Sequence, residues 1–306
     1  MRILLIAGGW SNERDVSLNG SRSIQAALKR LGHEVVFADP STQFHQFPGL
    51  ARKADFAFIN LHGCPGEDGL IQALLDRVGC PYQGSGPSGS LLALNKAAAK
   101  ELFVHWDIPT PDWEFLPQPV AQDWTCGLDF PLFVKPNNGG SSLDVTRVDT
   151  AQDLAGMLSP LWAKGCEILL EESVPGQEIT CAVLGNQPLP PILIQPADAS
   201  GFFDYFSKYT PQAAKEICPA PIPEELTAAV QELAVRAHAC LGLSDYSRAD
   251  FRVQDNRPYL LEVNTLPGMT ATSLFPQAAQ AVGLSFDQLI ARLIELGSES
   301  CSKEHL

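Results

Sequence analysis

Arg248, Asp250 and Arg252 alternate with Ala249, Phe251 and Val253, and farther on Glu262 and Asn264 alternate with Leu261, Val263 and Thr265. A period of two puts the charged and amide groups on one face of two successive strands. Between them Gln254-Asp255-Asn256-Arg257-Pro258 is rich in turn formers, so the segment reads as a hairpin. Folding about Asn256 sets Asp250 opposite Glu262 with side chains roughly 5 Å apart, where like charges repel unless a cation joins them. Carboxylate and amide oxygens together suit hard Mg²⁺, which completes its shell with water and phosphate oxygens. An ordinary amphipathic hairpin with a solvated charged face has the same pattern, so the remainder of the chain has to decide.

Other segments also carry chemistry. Phe133-Val134-Lys135 reads as a strand, and Pro136-Asn137-Asn138-Gly139-Gly140-Ser141-Ser142 follows it as a Gly/Ser loop. Backbone N–H groups and Ser hydroxyls of such a loop can ring a phosphate while Lys135 supplies charge. It is not a P-loop, because Gly-x-x-x-x-Gly-Lys-Ser/Thr is absent, and a flexible turn with a solvated Lys is the plainer alternative. Gly84-Ser85-Gly86-Pro87-Ser88-Gly89 matches the dinucleotide fingerprint by letter only, and reads as a linker turn. Glu171 to Glu178 joins two strands, and its carboxylates either face solvent or bond an adenine amine and ribose hydroxyls. His62 and Glu13 each follow a strand of an α/β pattern, at the edge where ligands collect. Asp68 and Glu13 are equally placed to cap the helices that follow. Lys208-Tyr209 lies in a long loop, and Ser273 closes the run Pro267 to Ser273 at a helix N-cap position.

The elements that must position these groups fall into three sets. Residues 1–86 alternate strand and helix (strands at 2–7, 33–38 and 55–61, helices near 18–31 and 69–78), which implies an open parallel α/β domain. A helix over Leu91–His105, strands at 130–135, 167–171 and 178–184 and a helix near 151–158 imply a central α+β domain, 87–184. The rest, 185–306, holds a long irregular segment from Gln195 to Pro223, a helix at 224–241, the hairpin and a last helix at 286–296. The composition, 45% hydrophobic and 18% charged over 306 residues, is that of a soluble globular protein. A net charge of −14 argues against nucleic acid or an anionic membrane as partner. No signal peptide or membrane span is apparent, which points to the cytoplasm, and eight scattered Cys without a Cys-x-x-Cys pair indicate neither a disulfide framework nor zinc.

Taken in order, Gly8 to Leu18, Leu61 to Gln72, Pro81 to Gly86, Lys135 to Ser142, Glu171 to Val183, Lys208-Tyr209 and Arg248 to Ala279 resemble the D-alanine–D-alanine ligases of the ATP-grasp superfamily. The resemblance spans roughly Arg2 to Leu296. It implies an ATP-grasp fold, with an N-terminal open parallel α/β domain and two α+β domains that clasp ATP. It also implies formation of D-alanyl-D-alanine through a D-alanyl phosphate, for peptidoglycan precursors, by a cytoplasmic homodimer. Lys96, Lys135 and Ser142 would contact ATP phosphates, Glu171 and Glu178 would hold adenine and ribose, and Asp250, Glu262 and Asn264 would bind two Mg²⁺ (or Mn²⁺). Glu13 would hold the first ammonium with His62 nearby, and Arg248 and the Gly268 N–H would stabilise the oxyanion. Lys208 and Ser273 would take the second carboxylate, while Glu13, Ser141 and Tyr209 would close the loop. Relatives that join D-alanine to D-lactate or D-serine are alternatives; Tyr209, where depsipeptide formers carry Phe, favours an amine nucleophile. The chain departs from the family's Gly-Ser-Ser-Val-Gly-Val at Asp144, which would weaken phosphate binding if its side chain pointed inward, leaving a weakly active nucleotide-binding protein as a third reading. Asn95 stands where Asp is usual, a change the fold should tolerate.

Overall fold

The computed structural model describes residues 1–121, 123–140, 144–196, 214–270 and 272–304. The apolar run after Met1 forms β1 (Arg2–Ala7), followed by α1 (Arg14–Arg30) and β2 (Glu34–Ala38). Two short helices, α2 (Pro40–Gln43) and α3 (Phe47–Ala51), lead to β3 (Phe56–Asn60) and α4 (Leu70–Val78). The three strands are parallel in the order β2-β1-β3, as the alternation of strand and helix requires. Helix α1 begins four residues earlier than its apolar period indicates, because its first turn is polar; Asp15 there suits the positive end of the helix.

The single helix expected over Leu91–His105 is two helices, α5 (Pro87–Leu94) and α6 (Lys96–His105). Asn95 between them has an extended backbone, and its Oδ1 accepts the Ala98 N–H at 3.0 Å, so a capping residue starts a new helix inside an unbroken apolar pattern. A second sheet follows, built from β4 (Trp113–Leu116), β5 (Leu132–Pro136), β6 (Thr146–Val148) and β7 (Ile168–Glu172) in the antiparallel order β4-β7-β5-β6. Helix α7 (Ala151–Ala163) covers it, and runs through Pro160 because Leu161 beyond it is buried against Leu132 and Leu170.

The third sheet contains β8 (Gln177–Leu184), β9 (Gln187–Pro188), β10 (Ile192–Pro196), β11 (Ala214–Ile217), β12 (Tyr246–Gln254) and β13 (Arg257–Asn264). Its order is β11-β10-β8-β12-β13, with β9 on β8. Helix α8 (Glu224–Cys240) packs on one face, and α9 (Leu274–Ala281) and α10 (Phe286–Glu304) end the chain. The segment expected to be irregular thus supplies β10 and β11 at its two ends; the residues between Pro196 and Ala214 lie outside those described.

Strand pairing and core packing cut across the expected segments 87–184 and 185–306. β8, which falls within the expected central segment, is hydrogen-bonded along its whole length to β12, so the second sheet ends before the Ser173–Gly176 loop. Phe103 and Ala99 of α6 pack with Val230, Phe251 and Leu260 in the core of the third sheet. Leu289, Ile290 and Leu293 of α10 pack with Ile3, Leu5 and Phe58 in the core of the first. Local periodicity reports that a segment has a buried face, not which other face it meets. Among the described residues no helix is long and apolar enough to cross a membrane.

The hairpin itself holds a second correction. Its turn is the two residues Asp255 and Asn256, both left-handed (φ 49° and 60°), so Gln254 pairs with Arg257 and Phe251 with Leu260. A β-bulge then intervenes at Leu261 and brings Asp250 opposite Glu262. The turn is half a residue from the expected apex, and the bulge restores the expected pairing. Leu261, expected on the apolar face, is half-buried beside Glu262.

Candidate active site

The polar face of the hairpin looks into a cavity of about 500 Å³ between the first and third sheets and the α5–α6 junction. Glu262, Asn264 and Arg248 line it from the hairpin, Glu13 and His62 from the edge of the first sheet, and Lys96 from the start of α6. Gly268 and Ser273 close another wall, so motifs more than two hundred residues apart in the chain meet at one place.

Arg248 reaches along its own strand to Asp250, with Nε 2.9 Å from Oδ1 and Nη2 2.7 Å from Oδ2. Thr180 on β8 donates its hydroxyl to Asp250 Oδ1 at 2.6 Å. Glu262 lies across the ladder from Asp250, and its Oε2 is 3.5 Å from Lys96 Nζ. Asn264 Oδ1 accepts the Leu266 N–H at 3.1 Å. The donor set is two carboxylates and an amide, all oxygen, on paired strand positions; no cluster of three Asp, Glu, His or Cys side chains occurs among the described residues. Each carboxylate is balanced by one cation, Arg248 or Lys96, which is the charge environment that a dication entering between them would replace. The oxygen-only chemistry of the set therefore fits Mg²⁺.

The Gly/Ser loop that follows β5 is fastened to the helix that carries Lys96. Asn137, fully buried, donates its amide to Asn95 Oδ1 (3.0 Å) and Glu167 Oε2 (2.9 Å), and its own Oδ1 accepts the Ala97 N–H at 2.8 Å. Lys96 Nζ donates to the Gly139 carbonyl. Gly140 passes so near Glu13 that a Cβ there would lie 2.9 Å from Oε2, and the Glu13 carboxylate would have to shift to admit it. Asp144 takes the left-handed backbone (φ 58°) that the family's glycine would favour, and its carboxylate turns to Lys164 Nζ at 2.7 Å on the exposed side of α7. Its charge is thereby paired away from the cavity. Asn95 performs with its Oδ1 the capping that an Asp would perform.

Glu13 and His62 are buried, and the Ser11 hydroxyl ties their two loops by donating to the His62 carbonyl at 2.6 Å and accepting the Glu13 N–H at 3.2 Å. Burial holds His62 below the usual imidazole range; Glu13 opposes that shift and Arg248 adds to it. Ser273 occupies the N-cap position of α9 without capping it, and its hydroxyl engages Thr270, 2.7 Å from Oγ1 and 3.0 Å from the backbone N. Gly268 is so close that a Cβ would lie 3.0 Å from Ser273 Oγ.

Four of the expected residues, Lys135, Asp250, Glu171 and Glu178, do not line the cavity. Glu171 is buried between lysines, with Oε1 on Lys135 and Oε2 2.5 Å from Lys100 Nζ, and does not line the cavity. Glu178 sits across β8 from Arg252 at 3.9 Å. Ser141, Ser142, Lys208 and Tyr209 lie outside the described residues.

The cavity also contains groups that the sequence did not single out. Glu67 is buried on its wall, accepts the Gly63 N–H at 2.6 Å, and is pushed up to about 8 by burial and the nearby Glu13 charge. Its signal was present in the Leu61–Gln72 run, where it follows His62 by five residues. Glu216 on β11 lines the opposite wall, bonded by Gln277, which also donates to the Thr272 carbonyl at 2.8 Å.

A parallel α/β domain joined to two antiparallel α+β layers, with Lys135 on one layer and a carboxylate hairpin on the other, is an ATP-grasp ligase. Residues 102–295 match the model of the family "D-ala D-ala ligase C-terminus". The chain is 60% identical over 305 residues to the D-alanine–D-alanine ligase of Oleidesulfovibrio alaskensis, covering 99% of both chains. Among solved structures, that of the D-alanine–D-alanine ligase of Bacillus anthracis complexed with ATP superposes with a TM-score of 0.88 at 34% identity, covering 99% of both chains. The VanG D-Ala:D-Ser ligase of Enterococcus faecalis superposes with a TM-score of 0.83 at 28% identity, covering 97% of this chain and 99% of that one. The chain belongs to the D-alanine–D-alanine ligase family.

Proposed function

We propose that this chain joins two D-alanines, using ATP, and that it does so in the cytoplasm for peptidoglycan synthesis as a homodimer. The observation that carries this reading is the meeting of Glu13, Arg248, Glu262 and Lys96 around one cavity, in a chain 60% identical to a D-alanine–D-alanine ligase. The first D-alanine sits with its ammonium on Glu13 and its carboxylate toward Lys96 and the phosphate loop. Transfer of the ATP γ-phosphate to that carboxylate breaks the terminal phosphoanhydride bond and makes an acyl phosphate. The amine of the second D-alanine, having lost its proton, attacks the carbonyl carbon; phosphate leaves and the peptide bond remains.

Lys96, Lys135 and Ser142 hold the phosphates, and Glu178 and the Glu171 segment frame the nucleoside. Mg²⁺ held by Asp250, Glu262 and Asn264 would supply charge neutralisation at the phosphoryl group. Arg248 and the Gly268 N–H face the oxygen on which charge develops during attack, a contribution often worth ~3 kcal/mol per donor. Ser273 and Lys208 take the second carboxylate, and Glu13, Ser141 and Tyr209 close the loop over the site.

Incubation with ATP, Mg²⁺ and D-alanine is expected to yield ADP, phosphate and D-alanyl-D-alanine in equal amounts. ADP release stimulated by D-alanine without any dipeptide would overturn the substrate assignment. The likeness to a D-Ala:D-Ser ligase motivates a second arm in which D-serine and D-lactate compete with D-alanine as acceptor.

A further inference from the structure

Lys100 follows Lys96 by one helical turn and is sealed from solvent at 1% exposure. Its Nζ lies 2.5 Å from Glu171 Oε2, 2.5 Å from Thr110 Oγ1 and 3.5 Å from the Pro111 carbonyl. Glu171 is equally buried, and its other oxygen holds Lys135. The Thr110 hydroxyl donates to the Leu260 carbonyl at 2.7 Å, on the strand that carries Glu262. The Leu260 N–H in turn donates to the Pro109 carbonyl at 2.7 Å.

Two lysines share one carboxylate here, so the cluster holds one positive charge in excess. A buried uncompensated charge is costly, and burial accordingly draws Lys100 down to about 8 against the opposing pull of Glu171, with Lys135 adding to the fall and Glu262 resisting it. Lys135 is the cluster's outer member, at the strand end that enters the phosphate loop. An anion at that loop removes the excess.

We propose that Lys100 is a positioning residue for the nucleotide: it occupies one oxygen of Glu171 so that the other aims Lys135 at the phosphates, and through Thr110 it holds that assembly in register with the hairpin. The inference rests on the reading of Lys135 as a phosphate contact.

The test compares Lys100→Met, Lys100→Arg, Thr110→Val and Lys135→Met in the full chain, by ATP and ADP affinity, the KM for each substrate, and thermal unfolding. Lys100→Met is expected to weaken nucleotide binding by about 10- to 100-fold, as loss of a group that orients a ligand-binding side chain commonly does. The KM for D-alanine should stay within about twofold, and Lys100→Arg should recover most of the nucleotide affinity, because an orienting cation is kept. Should Lys100→Met not fold, Thr110→Val carries the test, with an expected loss of about 3- to 10-fold in nucleotide affinity alone. Parental nucleotide affinity in Lys100→Met or Thr110→Val, beside a defect in Lys135→Met, overturns the proposal. So does an equal change in both substrates' KM, which marks general destabilisation. Unchanged nucleotide binding in Lys135→Met removes instead the phosphate role of Lys135, and the proposal with it.

Discussion

Arg248 commits two of its donors to Asp250 while facing the cavity beside His62, so in the proposed mechanism one guanidinium serves both the hairpin's charge balance and the reacting carbonyl. Arg248→Ala should lower kcat by about 100- to 1000-fold at saturating ATP and D-alanine, and Lys at this position should restore little, having no planar fork. A loss below tenfold would remove Arg248 from the oxyanion role. Asp144 makes the opposite case. Its carboxylate is tied to Lys164 on an exposed face and its backbone already adopts the glycine conformation, so Asp144→Gly should leave kcat and the KM for ATP within about twofold. Initial rates over a range of ATP concentrations decide this. At this scale the hairpin's donors, His62 and Glu13 were legible in the sequence, because their types recur at strand ends and Gly turns, whereas Lys96, at the start of a helix, was named only by the family resemblance. Lys100, Glu67 and Glu216 were not. Nothing in a string of residues shows that a lysine one turn beyond Lys96 is sealed against a carboxylate seventy residues away.

Elements explain why those residues arrive together. The loop from β7 to β8 crosses the hairpin at Gly176, where φ is 117° and a Cβ would lie 2.0 Å from the Val253 carbonyl oxygen. Gly176→Ala should therefore cost at least ~2 kcal/mol, read as a lower denaturant midpoint with unchanged m-value. On the back of the same sheet His238 of α8 packs against β12, its Nδ1 2.8 Å from Ser247 Oγ, and burial lowers it to about 4. An unfolded histidine takes its proton near pH 6.5. Between pH 6.5 and about 4 the unfolded chain thus binds more protons at His238 than the folded one, and this residue's contribution to stability falls as pH falls. The slope should amount to about 3 kcal/mol over that range and flatten in His238→Gln, as measured by denaturant titration at several pH values. The strands and helices with strong periodicity were visible in advance; β4, β6 and β9 were too short to show a period, and the Asn95 break was hidden by alanines on both sides.

Across the whole molecule, chain order and spatial order diverge. The first sheet's core is finished by α10, whose Leu289, Ile290 and Leu293 reach Ile3 and Phe58, and whose Asp287 meets Arg30 of α1 at 2.6 Å. Residue periodicity established that both segments were amphipathic; which of the three cores the last helix would join was set by packing between partners almost three hundred residues apart. A chain ending at Ser285 should lose cooperative thermal unfolding and near-ultraviolet dichroism, because the apolar face opposite β1 and β3 stays open to water. The same placement governs events during synthesis. The core of the first sheet stays open until α10 has been made, so its apolar face waits through the synthesis of the two sheets between them. A chain that lacks α10 therefore exposes its defect at the first sheet, far in sequence from the residues that are missing.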